Sequence, residues 1–290
     1  MDRHSGDDKQ RSERAARART GVRRFRATVE YDGTEFAGFQ VQPGQRTVQG
    51  ELEAALARLT GGTRHAVDGA GRTDAGVHAI GQVVAFGYDG PLDTEALAAA
   101  LDGNLPADVA IRDLREAPAR FHPRYAARYR EYRYTIWNGP RSPLRERTAW
   151  WIRHPLDVPA MHRAASALVG RHDFRAFGGA DPQPVRTIHR IRVVRRGDEV
   201  TIDVRADAFL RGMVRRIAWA LVAVGRARLG EDDIAAALEA RSTAFGGAAA
   251  PARGLCLRRV ALGRRTGSGR RDDDERDDGS EQRTRMIEER

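Results

Sequence analysis

Hydrophobic and polar positions alternate along this chain with two different periods. Hydrophobic residues recur at every second position in residues 25–31 and again in 129–138, which predicts half-buried β-strands. In residues 48–60 they recur at helical spacing, which predicts an amphipathic helix with Thr47 as its N-cap. Strands and helices therefore both contribute to the fold.

The rest of the pattern adds elements of both kinds. Further strands are predicted near residues 80–86, 187–195, 200–206 and 255–261, with a turn at 196–199. Further helices are predicted over residues 94–101, 159–169, 209–224 and 231–240. Strand runs broken by helices, with one β-hairpin among them, indicate the α+β class rather than a doubly wound parallel sheet.

The order of elements also predicts a domain organisation. Two half-chains of similar order indicate two like domains, residues 22–117 and 118–263, each a mainly antiparallel sheet with helices on one face. Residues 1–21 and 264–290 are polar, charged and low in complexity, so we expect disordered tails there.

Charge points towards a polyanionic partner. The formal net charge is +10, and Lys9 is the only lysine among 50 basic residues. The tails do not explain the excess, since residues 1–24 hold eight Arg/Lys against four acids and residues 264–290 hold eight Arg against nine acids. A GC-rich genome could produce the arginines by default, but their position in the body favours a nucleic-acid surface.

The cysteine count and the lengths of the apolar runs indicate where in the cell the protein is expected to act. One cysteine, Cys256, allows neither an internal disulfide nor a cysteine-based metal site. No apolar run approaches the roughly 18 residues of a membrane span, and no apolar segment follows the charged N-terminus as in a signal peptide. We expect a cytoplasmic protein without a membrane segment.

The stretch 69-GAGRTDAGVHA-79 carries the candidate chemistry, because Arg72 and Asp74 stand among glycines. It is not a dinucleotide fingerprint, since Asp74 at the sixth position would repel a pyrophosphate. Asp74 and His78 lack further ligands for a metal site. An aspartate that stabilises a tight turn, and a catalytic carboxylate with Arg72 close enough to keep it ionised, both remain open on spacing alone.

The run 70-AGRTDAGVHA-79 resembles the signature of the tRNA pseudouridine synthase A (TruA) family. Other stretches resemble the motifs of that family in the same order: 29-VEYDGTEFAGFQ-40, 102-DGNLPADVAIRDL-114, 121-FHPRYAARYREYRYTIWN-138 and 206-ADAFLRGMVRRIAWALVAVG-225. The resemblance covers roughly residues 25–261. Phe39, where the family usually has tryptophan, and Pro123 depart from it, both away from the signature.

The resemblance implies a fold and an activity. The fold would be that of the pseudouridine synthases, with two domains around a central basic cleft. The enzyme would isomerise uridine to pseudouridine at positions 38, 39 and 40 of the tRNA anticodon stem-loop. It would flip the base, cut its bond to the ribose and rejoin it through C5. No cofactor and no metal would be needed, and the family acts as a homodimer on tRNA.

The resemblance also implies roles for single residues. Asp74 matches the catalytic aspartate, and whether it attacks the sugar or deprotonates it stays open. Tyr132 matches the active-site tyrosine, which could stack on the uracil and assist proton movement at C5, and Arg215 matches an arginine near the carboxylate. As a hypothesis beside these matches, Arg72 could also bind the substrate by filling the gap left by the flipped base. Tyr134 is expected in the core, and His78 is expected to be a hydrogen-bonded structural histidine.

Three basic runs are expected to contact phosphates as a set: 23-RRFR-26, 124-RYAARYR-130 and 141-RSPLRER-147.

Two rival functions remain. A non-catalytic RNA-binding module would keep the fold without the reaction, and a hydrolase could use Asp74 and His78 as acid and base.

Overall fold

A computed structural model describes residues 21–178, 181–240 and 247–263 of the chain. Apart from Gly21, the predicted tails lie outside these residues. The strands, in chain order, are β1 (Arg23–Tyr31), β2 (Val67–Gly69), β3 (His78–Tyr88), β4 (Val109–Glu116), β5 (Ala127–Trp137), β6 (Trp150–Trp151), β7 (Gly170–Asp173), β8 (Val185–Arg196), β9 (Glu199–Ala206) and β10 (Leu255–Leu262). The helices are α1 (Val48–Leu59), α2 (Thr94–Asn104), α3 (Pro123–Ala126), α4 (Val158–Ser166), α5 (Met213–Gly225) and α6 (Asp232–Ala240).

All ten of these strands belong to one sheet. Its main order is β4-β1-β3-β10-β5-β9-β8-β7, with β2 paired to β3 and β6 paired to β5. The β3–β10 and β5–β6 pairs are parallel, and the other pairs between described strands are antiparallel. The predicted α+β class with mainly antiparallel pairing is therefore confirmed.

One pairing joins the two halves of the chain. Strand β10 returns from the C-terminal half and pairs with β3, where Cys256 lies opposite His78 and Leu257 lies opposite Ala79. The sheets predicted for each half are thus continuous parts of a single sheet. The division of the chain into two domains near residue 117 stays a prediction.

The core follows from the period-two pattern of the strands. In β1, Phe25, Ala27, Val29 and Tyr31 are each at most 3% exposed, while the residues between them are partly exposed. Burying a side chain as large as Phe25 stabilises the fold by about 1.5–3 kcal/mol. The buried cluster continues without a break through both halves of the sheet.

The start of helix α1 confirms its predicted N-cap. Thr47 accepts a hydrogen bond from Gly50 N at the start of α1, as predicted. Helix α5 is different, because it begins at Met213 rather than near residue 209. Gly212 precedes it with φ +67, and this left-handed residue breaks the helical path that the hydrophobic spacing predicts.

Several elements were not predicted. Strand β6 is two residues long, too short for a period to show. The buried residues of strand β4 are Val109 and Leu114, five positions apart. Hydrophobic residues therefore do not recur at every second position of this strand. Among the described residues, no helix is both long enough and apolar enough to cross a bilayer.

Candidate active site

The candidate site is the loop between β2 and β3, which contains Asp74. Gly76 has φ +75, a left-handed conformation that favours glycine, and Val77 N donates to Asp74 O at 3.2 Å to close the turn. A Cβ on Gly69 would lie 2.5 Å from the ring of Phe39, so this position also needs glycine. A Cβ on Gly71 would meet nothing nearer than Arg130 Nε at 3.7 Å, so the fold does not require its small size.

Buried polar side chains hold this loop from the sheet below. The Tyr31 hydroxyl shares a 2.8 Å hydrogen bond with Thr73 Oγ1. The fully buried Gln82 donates from Nε2 to Gly71 O at 2.9 Å. Burial raises the pKa of Tyr31 well above its usual range, so the bond is made by a neutral hydroxyl. The segment that leads into Asp74 is therefore tied to β1 and β3.

Two arginines face the Asp74 carboxylate. Arg215 Nη1 lies 3.8 Å from Asp74 Oδ2, and Arg211 Nε lies 3.9 Å from Asp74 Oδ1. The Asp74 and Arg215 side chains are 30% and 24% exposed, whereas Arg211 is 92% exposed. Since water screens exposed charges strongly, Arg215 is the main electrostatic partner of Asp74.

Arg215 is itself oriented by the backbone. Its Nε donates to Ala250 O at 2.7 Å, and Ala250 N donates back to Arg215 O at 3.0 Å. These bonds fix the guanidinium in the first turn of α5 and leave Nη1 directed at Asp74. The carboxylate and its cation are thus both held before any substrate binds.

A pocket of about 270 Å³ opens in front of this pair. Its lining comes from the Asp74 loop, from the start of α5 and from the segment before β10: Asp74, Ala75, Arg211, Gly212, Arg215, Arg216 and Ala249. Three arginines and one carboxylate make it a basic pocket with a single acid. It is close to the smallest size usual for ligand sites, about 300 Å³.

Tyr132 lies in β5 within electrostatic range of Asp74. Its ring is 8% exposed and packs edge-on against Phe209, with 5.1 Å between the ring centroids. Burial, with a smaller effect from the Asp74 charge, raises the pKa of Tyr132 above its usual range, so the hydroxyl stays neutral. Tyr134, also in β5, is fully buried and donates to Pro251 O at 2.8 Å, which confirms the prediction of a core residue.

Arg72 is exposed on the loop. Within the described part of the chain it makes no ion pair, and the cations beside Asp74 are Arg215 and Arg211. That Arg72 is close enough to Asp74 to keep it ionised stays a prediction. Its guanidinium remains available to a ligand.

His78 is a structural residue, as predicted. It is buried, its Nδ1 accepts a hydrogen bond from Gly33 N at 3.0 Å, and its Nε2 lies 2.9 Å from Arg147 O and 3.1 Å from Arg253 O. Because both ring nitrogens are engaged, His78 is available neither as a metal ligand beside Asp74 nor as the base of a hydrolase. It ties β3 to two segments of the other half.

The basic runs are partly used by the fold itself. Arginines of two of the three runs make ion pairs inside the molecule: Arg23 with Glu116, Arg24 with Asp68, Arg145 with Glu199 and Arg147 with Asp32. Counting arginines along the sequence therefore overstates how many can contact phosphates.

Arg211 was not singled out from the sequence. It precedes Arg215 by one helical turn, and that spacing was a usable signal. The predicted helix, however, started near residue 209 and so included Arg211. The left-handed Gly212 turns the chain so that Arg211 reaches the pocket instead.

The fold and site define an α+β protein with a fixed aspartate loop at a basic pocket. The family model described as "tRNA pseudouridine synthase" matches residues 27–126 and 164–261. The chain therefore belongs to the tRNA pseudouridine synthase family.

Individual relatives carry the name of the same family. The chain is 48% identical over 244 residues to tRNA pseudouridine synthase A of Moorella thermoacetica, covering 81% of this chain and 98% of the relative. It is 41% identical over 238 residues to the protein of the same name from Halalkalibacterium halodurans, covering 81% and 90%. A distant likeness to the archaeal box H/ACA sRNP Nop10-Cbf5 complex has 12% identity and a TM-score of 0.27, over 69% of this chain and 43% of that one.

Proposed function

We propose that this protein isomerises uridine to pseudouridine in tRNA and that Asp74 is its catalytic carboxylate. Family membership and the name tRNA pseudouridine synthase A, carried by its relatives, support the activity. One observation carries the choice of residue: among the described residues that line the basic pocket, Asp74 is the only acid, and it stands on a loop held by buried hydrogen bonds.

The reaction breaks the bond between uracil N1 and ribose C1′ and forms a bond from C5 to C1′. C5 gives up a proton and N1 gains one, so the product has the mass of the substrate and no cofactor is consumed. Asp74 acts either by attacking the sugar or by taking a proton from it. Both routes need an ionised carboxylate with a free oxygen, which the long contacts to Arg215 and Arg211 leave available.

Three further side chains complete the proposed site. Tyr132 is buried within electrostatic range of Asp74; its ring would stack on the turned-out uracil, and its neutral hydroxyl can assist proton movement at C5. Arg72, exposed two residues before Asp74, can enter the space that the base leaves in the RNA stack. Arg215 orients the carboxylate and contacts the substrate at the pocket.

The proposed targets are uridines 38, 39 and 40 of the anticodon stem-loop. Flipping a base costs a few kcal/mol and costs least near a loop, which suits this arm of the tRNA. One pocket can serve neighbouring positions if the RNA is held mainly through its backbone by the exposed arginines. We propose that the enzyme acts as a cytoplasmic homodimer.

The test uses purified full-length protein, an unmodified tRNA transcript and no added cofactor, with pseudouridine mapped by nucleotide. We expect new pseudouridine in the anticodon arm from the parent protein and none from Asp74→Asn. Asp203→Asn, which removes a carboxylate paired with Arg133 elsewhere on the sheet, is the matched control and should keep activity. Release of free uracil, or uridine loss without pseudouridine, would exclude isomerisation.

A further inference from the structure

Arg130 connects three backbone segments that meet at the site. Its Nη2 donates to Ala70 O at 2.6 Å and to Arg124 O at 3.3 Å, and its Nη1 donates to Asp207 O at 2.8 Å. The side chain is partly buried, and it reaches across 60 residues of sequence in one direction and 77 in the other. Contacts this specific are unusual for an arginine in a surface basic run.

Two of these carbonyls belong to the segments that carry the site. Ala70 begins the loop that holds Asp74, and Asp207 lies between β9 and α5, just ahead of Arg215. The loop comes from the N-terminal half and α5 from the C-terminal half. Arg130 is therefore a direct hydrogen-bonded link between the carboxylate segment and the segment of its cationic partner.

Strand geometry explains how one residue can do this. Arg130 and Tyr132 are two apart in β5, so both side chains leave the same face of the sheet, towards the loop. Arg133 leaves the opposite face, where it makes a forked ion pair with Asp203 at 2.7 and 3.0 Å. The two arginines share a strand and differ in what their guanidinium groups hold.

The link also needs the shape of a guanidinium. Its Nη1 and Nη2 point in fixed, divergent directions, so two carbonyls from different segments can be held at once. A lysine ammonium is a single point donor and cannot reproduce this geometry. The third acceptor, Arg124 O, attaches the one-turn helix α3 to the same group.

We propose that Arg130 is a positioning residue that sets the placement of Asp74 relative to Arg215, rather than one of the phosphate contacts that its basic run suggests. The inference rests on the proposed function, since it assigns Arg130 a role in that same reaction. A displacement of about 1 Å at a reacting group can slow a reaction about 100-fold while leaving binding intact. Loss of a phosphate contact instead weakens binding and lowers its salt dependence.

The experiment separates the rate from RNA affinity. Single-turnover pseudouridine formation at saturating enzyme gives the maximal rate constant, and filter binding at several salt concentrations gives tRNA Kd and its salt slope. The variants are Arg130→Gln and Arg130→Lys, with Arg133→Gln as a control that loses a forked arginine contact on the same strand. Melting temperatures verify that each variant is folded at the assay temperature.

We expect Arg130→Gln to lower the maximal rate about 100-fold with Kd and salt slope unchanged. Arg130→Lys should recover little of this loss although it keeps the charge, and it decides the question if Arg130→Gln does not fold. Arg133→Gln should keep the parent rate. The inference is overturned if Arg130→Gln keeps the parent rate, or if Kd rises while the salt slope falls by about one. An inactive parent protein would count against the proposed function instead.

Discussion

Asp74 and Arg215 come from different halves of the chain and face each other at 3.8 Å across the pocket. This distance exceeds that of a hydrogen bond, which for N–H···O is about 2.7–3.2 Å. Arg215 therefore stabilises the negative charge of Asp74 without occupying its lone pairs. A nucleophile or base needs this combination of an ionised group and an accessible oxygen.

Replacement of Arg215 tests this pairing. Arg215→Gln keeps a donor for Ala250 O but removes the charge, so we expect the maximal rate at saturating enzyme to fall at least about tenfold, equivalent to about 1.4 kcal/mol. Single-turnover assays measure the rate. Arg228→Gln, on an exposed arginine beyond the far end of α5, is the control and should match the parent. An Arg215→Gln rate equal to that of the parent would show that the pairing is only structural.

Two substitutions of Tyr132 separate the role of its ring from that of its hydroxyl, and pH–rate profiles add a further check. Because burial raises the pKa of Tyr132, the hydroxyl stays protonated, and no alkaline loss of activity from this group is expected up to about pH 9.5. Tyr132→Phe keeps the ring and should lower the rate about 100-fold, in the range of lost acid–base assistance. Tyr132→Leu should lower it further. The pH–rate profiles of parent and Tyr132→Phe should be parallel, and an alkaline limb absent only from the variant would contradict this.

The lowered pKa of Asp32 predicts how the stability of the fold depends on pH. Burial alone would raise its pKa, but hydrogen bonds from Thr34 and the nearby Arg147 guanidinium outweigh burial and hold the pKa below its ordinary 3.8. A depressed pKa means that the contribution to stability is present above 3.8 and is lost as pH falls through the folded-state value. Asp32→Asn should therefore lower the melting temperature at pH 7, and the difference should shrink in strongly acidic buffer. A difference that grows on acidification would contradict the sign.

Local patterns were readable from the sequence, and contacts between distant segments were not. The alternation of β1 and the cap of α1 depend on neighbouring residues, so both were predicted correctly. The pairing of Cys256 with His78 makes one sheet out of two halves, and nothing within either strand signals the other. Length also limits prediction, since the two residues of β6 are held only by pairing with β5.

The same limit applies to the candidate site. A long, specific motif identified Asp74, but the cations beside it depend on tertiary structure. Arg72 is near Asp74 in sequence, whereas the ion pairs of Asp74 among the described residues are with Arg211, which precedes the left-handed Gly212, and with Arg215. Arg130 belongs to a basic run, yet the side of the strand it leaves from determines that it bonds to carbonyl groups.

Arg211 should behave differently from Arg215, although both approach Asp74 to a similar distance. Its side chain is 92% exposed, so water and salt screen its effect on the carboxylate. An unrestrained guanidinium at the mouth of a basic pocket is suited to contact an RNA phosphate. We expect Arg211→Ala to weaken tRNA binding and reduce its salt slope by about one, with the maximal rate almost unchanged.

Filter binding across salt concentrations and single-turnover rates, measured side by side for Arg211→Ala and Arg215→Gln, check this contrast. Arg211→Lys keeps the charge and should restore most of the affinity, because a phosphate accepts a point charge as well as a fork. If Arg211→Ala instead lowers the maximal rate as much as Arg215→Gln, the exposed arginine is not screened during the reaction. The RNA itself would then exclude water from the pocket and make both arginines partners of the Asp74 carboxylate.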